Sequence, residues 1–261
     1  MNNLNGWSFC IVTAPKNETM LKQCLNKIHT AFTDIENYEI IIIGNPNITD
    51  KKLLEKTKII PFKEEFFAPS FSWVNIKRVI RQLSLKRFFF KTGAICHKKN
   101  LAAQNAQYDK LCIMHDYVGL EDGWKDGFDK FGDNWDISMN IILNQDDSRH
   151  RDWMAWDHPS ITDKPDGKGA CLIPYDKHTK YMYISGTYFC VKKDFFLDNP
   201  LDEKLFWGEA EDIEWSLRVR EKTKFKMNVK SVVKYLKLKD INGAPNCESW
   251  KRNEIKMKEI L

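Results

Sequence analysis

The stretch that most constrains this chain is Leu111-Cys112-Ile113-Met114-His115-Asp116-Tyr117-Val118. Four apolar residues run directly into a histidine, an aspartate and an aromatic. A short apolar run bounded by polar residues has the pattern of a strand buried on both faces, and such strands belong to parallel sheets covered by helices. In open α/β sheets, ligands bind beyond the carboxyl ends of the strands. His115 and Asp116 therefore stand where a metal or a charged ligand would be held. A surface turn with an incidental aspartate is the ordinary alternative. A second acidic cluster downstream, Gly208-Glu209-Ala210-Glu211-Asp212, favours the functional reading.

The segments on either side alternate between strand and helix patterns. Residues Trp7 to Ala14 predict a first strand, stopped by Pro15. Residues Asn17 to Phe32 carry a helical stripe of Met20, Leu21, Cys24, Leu25, Ile28 and Phe32, with Asn17 or Thr19 placed to cap it. Tyr38 to Ile43 predicts a second interior strand ending in the turn Gly44-Asn45-Pro46-Asn47, and Lys58 to Phe62 a third. This order implies a nucleotide-binding α/β half. Trp73 to Phe89 predicts a helix, and Gly93 to Ala106 a basic helix before the central strand. A turn and short helix follow Gly123, and Asp136 to Leu143 predicts another strand. Asn144 to Lys180 has no periodicity and reads as one long loop whose tryptophans argue against disorder. Tyr181 to Val191 predicts a strand with Gly186 as a bend or point of close approach. Glu209 to Glu221 predicts a helix with Ile213 and Leu217 on one stripe and Glu211, Glu214 and Arg218 on the other. Lys224 to Leu238 predicts one or two strands, and the polar stretch from Lys239 to Leu261 a surface tail.

Charge and cysteine usage narrow the function. Lys and Arg total 41 against 36 acidic residues, a net charge of +5, but the lysines are scattered and no aromatic-basic RNA motif occurs. A nucleic-acid partner is not expected, whereas an anionic ligand such as a nucleotide diphosphate is. Seven cysteines without CxxC spacing suggest a reducing compartment and no structural zinc. No signal peptide is recognisable and no apolar run approaches about 18 residues, so no transmembrane segment is expected. These features point to a cytoplasmic protein, or one peripheral at a membrane. No GxSxG, GxxxxGK[ST] or GxGxxG motif is present, which disfavours a serine hydrolase, a P-loop NTPase and a classical dehydrogenase.

Asp116 is the best candidate metal ligand, because magnesium takes one or two protein carboxylates and completes its shell on phosphate oxygens. Glu211 and Asp212 open a predicted helix, where the dipole favours an ionised carboxylate ready to accept a proton. Helix-start chemistry alone would explain them. The nearby Phe206, Trp207 and Trp215 tilt the reading toward a sugar site, since aromatic faces bind sugar rings. Lys98, Lys99 and Asn100 suit a phosphate or a uracil-type ring, and a solvated helix face equally well. His150, His158 and His178 lack zinc spacing.

With these pieces placed, the chain resembles a glycosyltransferase of the GT-A type, similar to the family 2-like enzymes, over roughly residues 7 to 237. WSFCIVTAPKNE resembles the first strand and nucleotide loop, and YEIIIIGNPN the second strand with its base-contacting turn. KKNLAAQNAQYDKLCIMHDYV is similar to the stretch that leads into the metal-binding DxD strand. YISGTYFCVKKDFF followed by FWGEAEDIEWSLRV resembles the acceptor-side segment that supplies the catalytic base. The resemblance implies an α/β GT-A fold, a Rossmann-like mixed sheet flanked by helices. It implies one domain over residues 1–240, with a nucleotide half to about 120, an acceptor half beyond, and a tail at 241–261. It implies a nucleotide-diphosphate sugar donor, a divalent metal (Mn2+ or Mg2+), and a glycan or glycolipid acceptor attacked with inversion. Asp212 matches the base and Glu211 would hold the acceptor hydroxyl. Thr13, Pro15, Asn45, Lys99, Asn100, His115 and Asp116 would bind the donor, with the metal on Asp116. Trp207, Glu209, Trp153 and Trp156 would bind the acceptor, and the loop from Asn144 to Lys180 would close over both. Three features depart from the pattern: HDY stands in place of DxD, no histidine follows His178, and Gly44-Asn45 replaces a common aspartate. Two competing readings are a non-catalytic carbohydrate- or nucleotide-binding module on the same scaffold, and a metal-dependent phosphohydrolase using Asp116 and the loop histidines.

Overall fold

The apolar runs form strands because alternate residues on both faces find cover. A computed structural model describes residues 4–13, 17–63, 94–156, 170–205 and 210–239. In it, β1 (Leu4–Val12), β2 (Tyr38–Ile43) and β4 (Tyr108–His115) lie parallel, with β3 (Thr57–Ile60) outside β2. Phe9, Cys10 and Ile11 of β1 and Ile40 to Ile43 of β2 are wholly buried, as interior strands should be. Beyond β4 come β10 (Tyr188–Lys192), β6 (Ile137–Leu143), β11 (Lys226–Tyr235) and β5 (Val118–Leu120). The sheet order is β3-β2-β1-β4-β10-β6-β11-β5. β10 runs antiparallel to both β4 and β6, which makes the sheet mixed.

Helices cover both faces. α1 (Glu18–Ala31) turns Leu21, Cys24, Leu25 and Ile28 inward, the i, i+3, i+4, i+7 set of an amphipathic helix. With α3 (Trp124–Phe131) it closes over an aromatic cluster: Trp7 meets Trp124 and Phe128, each at 4.8 Å between ring centroids, and Phe9 meets Phe32 at 5.1 Å. Edge-on pairs of this kind add about 1 kcal/mol each beyond area burial. On the other face lie α2 (Ala94–Asn105), α4 (Lys193–Asp198) and α5 (Glu211–Val219), where Phe189, Phe196 and Trp215 pack together. Five described cysteines, Cys10, Cys24, Cys96, Cys112 and Cys190, are buried free thiols in this core.

Several expectations need correction. The stretch from Asn144 to Lys180, expected to be one aperiodic loop, contains β7 (Met154–Trp156) and β8 (Ala170–Leu172), which form a small sheet with β9 (Met182–Tyr183) just beyond it. Strands of two or three residues are too short to show a period, so the pairing is invisible in sequence. The single strand expected over Tyr181 to Val191 is two, β9 and β10, parted by a turn at Gly186. Lys224 to Leu238 forms one strand, β11, whose register against β6 shifts between Asn228 and Val232. The buried face of α5 carries Trp215, Ser216 and Val219, while Leu217 is 36% exposed. Trp73 to Phe89 lies outside the described residues. Among the described residues no helix is long and apolar enough to cross a membrane.

One buried histidine makes stability depend on pH. His150 is 7% exposed and its ring stands edge-on to Tyr235 at 5.0 Å. Burial, then the charges of Lys239 and Arg151, pull its pKa from 6.5 to about 4. The unfolded chain therefore binds the extra proton first. The stability tied to neutral His150 is complete above pH 6.5 and is lost as the pH falls toward 4. That loss amounts to about 3 kcal/mol across the window. His150→Gln is expected to be markedly less acid-sensitive than the wild type when urea unfolding at pH 7.5 and 4.5 is compared. His115, whose pKa is also depressed, retains the remainder. An unchanged acid sensitivity would sink this assignment.

Candidate active site

The parallel register of β1 and β4 pairs Val12 with His115, so Thr13 and Asp116 leave the sheet side by side. Thr13 Oγ1 donates to Asp116 Oδ2 at 2.6 Å, and Asn17 Nδ2 donates to both carboxylate oxygens at 3.1 and 3.2 Å. Asn17 sits at the cap position of α1 but makes no capping bond with its side chain; it is directed to Asp116 instead. Lys98 Nζ donates to the Thr13 carbonyl at 3.0 Å. Asp116 is left 2% exposed.

The chain turns at Asp116 and Tyr117, and the His115 and Tyr117 rings stand 5.3 Å apart. Lys99, 1% exposed, reaches from α2 and donates to the Gly186 carbonyl at 2.7 Å and to Glu211 Oε1 at 3.2 Å. The Gly186 N–H donates in turn to Asp212 Oδ2 at 2.9 Å, while Asp212 Oδ1 accepts from the Ile213 N–H at 3.0 Å. A Cβ on residue 186 would lie 2.9 Å from Asp212 Cβ, 3.0 Å from Glu211 Oε1 and 3.1 Å from Lys99 Nζ. Glycine is what lets the turn before β10 meet the start of α5 this closely. Ala210, just before α5, holds a left-handed backbone with φ 59°. Such a conformation costs a non-glycine residue about 1 kcal/mol, and strain of this sort gathers at functional sites.

The local charges are unevenly matched. Burial and the neighbouring Glu211 raise the Asp212 pKa, against the Gly186 N–H, Lys99 and Arg151. Burial and the charges of Lys99, Lys239, Lys237 and Lys98 drive the His115 pKa well down, so its imidazole is neutral at neutral pH. Lys239 itself is brought down to about 8 by burial, Arg151 and Lys237. It donates to Thr187 Oγ1 at 3.2 Å.

The fold thus gathers Thr13, Lys99, His115, Asp116, Glu211 and Asp212 at one end of the sheet, as the sequence pattern suggests. Other expected residues lie differently. Asn100 exchanges hydrogen bonds with the Leu201 backbone and donates to Glu203 Oε1, so its amide secures the turn after α4 rather than facing a donor. Asn45 is exposed and donates to the Phe62 carbonyl at 2.7 Å, joining the ends of β2 and β3. Trp153 is 3% exposed and belongs to the main core, with its indole N–H on the Lys177 carbonyl; it offers no face to an acceptor. Trp156 is half-buried on β7, packed beside Tyr183 and near Ile213 of α5. Pro15, Trp207 and Glu209 lie outside the described residues.

Sequence reasoning missed Asn17, Arg151, Lys237 and Lys239. Asn17 is masked by its resemblance to a helix cap. Lys239 was expected on a surface tail, yet its backbone is clamped by Asn144, which accepts from the Lys239 N–H at 2.9 Å and donates to its carbonyl at 3.2 Å.

Among the described residues no three His, Cys, Asp or Glu side chains converge to hold a metal ion. Asp116 already accepts from Thr13 and Asn17. The adjacent position is a neutral imidazole ringed by lysines. These residues do not fit a tightly held cation.

No family model matches the sequence, nor does any curated protein. Solved structures do resemble it. GalNAc-T7, in a crystal structure with UDP, GalNAc and Mn2+, aligns with TM-score 0.59 and 13% identity over 97% of this chain and 48% of that one. TarS residues 1–349 from S. aureus align with TM-score 0.52 and 12% identity over 87% of this chain and 60% of that one. The same TarS fragment in complex with UDP gives TM-score 0.52, with 88% and 60% covered. This chain therefore spans about half to three-fifths of the length of the proteins it matches. The chain has the GT-A fold, a mixed α/β sheet flanked by helices.

Proposed function

We propose that this chain is a glycosyltransferase. It moves a sugar from a nucleoside-diphosphate donor to a hydroxyl of a glycan or glycolipid acceptor, with inversion at the anomeric carbon. The observation that carries this reading is the Asp212 carboxylate. It is oriented by two backbone N–H groups, that of Gly186 in the turn before β10 and that of Ile213 in α5, and its pKa is raised by burial and by Glu211. A positioned carboxylate with a raised pKa is suited to general-base work.

In the proposed reaction the acceptor oxygen attacks the anomeric carbon as the carbon–oxygen bond to the diphosphate breaks. The diphosphate leaves with the bonding electron pair, and Asp212 takes the acceptor's hydroxyl proton. Glu211, held by Lys99 at 3.2 Å, would hold the same acceptor hydroxyl. Asp116, fixed by Thr13 and Asn17, stands at the donor side of the strand ends. The neighbours' complexes with UDP support a nucleotide-sugar donor.

The test is a panel of nucleotide-sugars incubated with the protein in EDTA and in manganese, scoring released nucleoside diphosphate. Release from one donor, increased by an added glycan, is expected. Binding of a donor without release would instead favour the non-catalytic binding module, and silence on every donor by a folded protein would refute the nucleotide-sugar reading.

A further inference from the structure

The buried face of α5 carries a serine where an apolar residue would serve the core. It consists of Trp215, Ser216 and Val219, and Ser216 is wholly out of solvent. A serine costs helix stability relative to alanine, because its hydroxyl competes for backbone groups. Here the hydroxyl makes two bonds. It donates to the Asp212 carbonyl at 2.6 Å, one turn back along α5, and accepts from the Ile184 N–H at 2.9 Å. Two residues further on, the Gly186 N–H donates to the Asp212 carboxylate at 2.9 Å. Two residues of extended chain advance about 6.6 Å, and four residues of helix about 6 Å. Acceptors at 212 and 216 therefore match the spacing of donors at 184 and 186, and the stretch between β9 and β10 lies along the first turns of α5 in a fixed register.

From these bonds we infer that Ser216 is a positioning residue for Asp212: it locks the stretch 184–186 onto α5, so that the Gly186 N–H holds the carboxylate in the orientation that proton transfer needs. The inference rests on the transferase reading above, in which Asp212 is the base, and names a residue that acts through it.

The two carboxylate oxygens are held differently. Asp212 Oδ1 accepts from the Ile213 N–H of its own helix, a bond that moves with α5. Asp212 Oδ2 accepts from Gly186, which belongs to another element, so its direction depends on how that element is fixed. Lys99 fixes the Gly186 carbonyl from the α2 side at 2.7 Å, and Ser216 fixes Ile184 from the α5 side. Removing the hydroxyl strips a buried N–H of its acceptor, a cost the stretch relieves by moving. A Cβ at 186 would already lie 2.9 Å from Asp212 Cβ, so the stretch can move only outward, which lengthens the Gly186 bond to Oδ2. A misplacement of about 1 Å at a reacting group costs about 10²-fold in rate. The donor side, built from Thr13, Asn17 and Asp116 on other elements, is untouched by the change.

The experiment compares Ser216→Ala, Ser216→Thr and Ser231→Ala in the full chain. Ser231, on β11, is a buried serine of the same kind, bonded to the Trp124 carbonyl at 2.7 Å and to Asn228 at 2.9 Å. It matches the loss of a buried hydroxyl without touching α5. Two quantities are measured beside the melting temperatures: kcat and KM for the donor that the nucleotide-sugar panel identifies, and amide hydrogen exchange at Gly186 relative to Cys112 in the central strand. Ser216→Ala is expected to lower kcat about 10- to 100-fold with the donor KM unchanged, and to speed Gly186 exchange about tenfold relative to Cys112. Ser231→Ala should change neither, and Ser216→Thr, which keeps the hydroxyl, should retain most of the rate. Should Ser216→Ala fold poorly, Ser216→Cys, whose thiol accepts weakly, takes its place with the same expectations in smaller measure. An equal loss of kcat in Ser231→Ala would overturn the inference, because the effect would then be one of stability. If the wild type turns over a donor and loss of the Ser216 hydroxyl leaves kcat and Gly186 exchange unchanged, the positioning role fails and the transferase reading stands. If Gly186 exchange responds as expected and no donor is turned over, the positioning of Asp212 stands and the transferase reading fails.

Discussion

Asp212→Asn is expected to lower sugar transfer by about 10²- to 10⁴-fold, the range over which a positioned general base contributes. The change is nearly isosteric and leaves the α5 start in place. Asp212 accepts one N–H on each oxygen, from Gly186 and from Ile213. An asparagine can accept only one of these through its oxygen and must turn its NH2 toward the other. That costs about 1 kcal/mol. The same substitution removes a buried charge beside Glu211, which offsets part of the cost. Fold stability should therefore change little while the proton acceptor is lost. The wild-type rate should fall as the pH drops through the raised Asp212 pKa, because protonated Asp212 cannot accept the acceptor's proton. The variant's residual rate should lack that limb. Initial rates across pH, with melting temperatures recorded alongside, check both parts. A normal rate in a normally folded Asp212→Asn protein would exclude Asp212 as the base.

The largest effect on stability is expected from Lys99→Met. Lys99 lies almost wholly out of solvent and holds two groups, the Gly186 carbonyl and Glu211. Methionine fills the stem volume but leaves the Glu211 carboxylate and the carbonyl without their partner. Breaking a buried ion pair by removing one member costs about 3 kcal/mol or more. Glu211 retains some solvent contact, which places the loss at the low end. The double variant Lys99→Met with Glu211→Gln should recover most of it, since no uncompensated charge remains. Urea unfolding of the two single variants and the double closes the cycle. Additive losses would show that the pair is not coupled. Transfer should not recover in the double variant, because both groups face the proposed acceptor side.

Much of this arrangement is legible in one dimension. The interior strands around Leu111 to His115 and Tyr38 to Ile43 announce themselves because residues buried on both faces leave an unbroken apolar run. α1 is visible because its inward face repeats at helical spacing. Asp116 at a strand end, and Glu211 and Asp212 at a helix start, are visible because those are the places where a fold exposes backbone dipoles and charged groups to a ligand.

Other features are not local and could not be read that way. Trp153 looks like a sugar platform in sequence and is core in the fold, because an indole's environment depends on which strand covers it. Asn17 has the spacing of a cap, in which its side-chain oxygen would accept, yet its NH2 donates to a carboxylate 99 residues away. Lys239 reads as tail because nothing near it in sequence signals Asn144 or Thr187.

The sequence by itself determined which segments are strands and helices at the heart of the sheet, and which carboxylates stand at their ends. Tertiary structure alone decided what those carboxylates face. The insertion of β10 antiparallel beside β4 carries Gly186 onto Lys99 and Asp212. The path of β11 carries Lys237 and Lys239 over Tyr117. Periodicity is a property of neighbouring residues, whereas strand order follows from the packing of the whole chain, and the electrostatics of the site are set by that order.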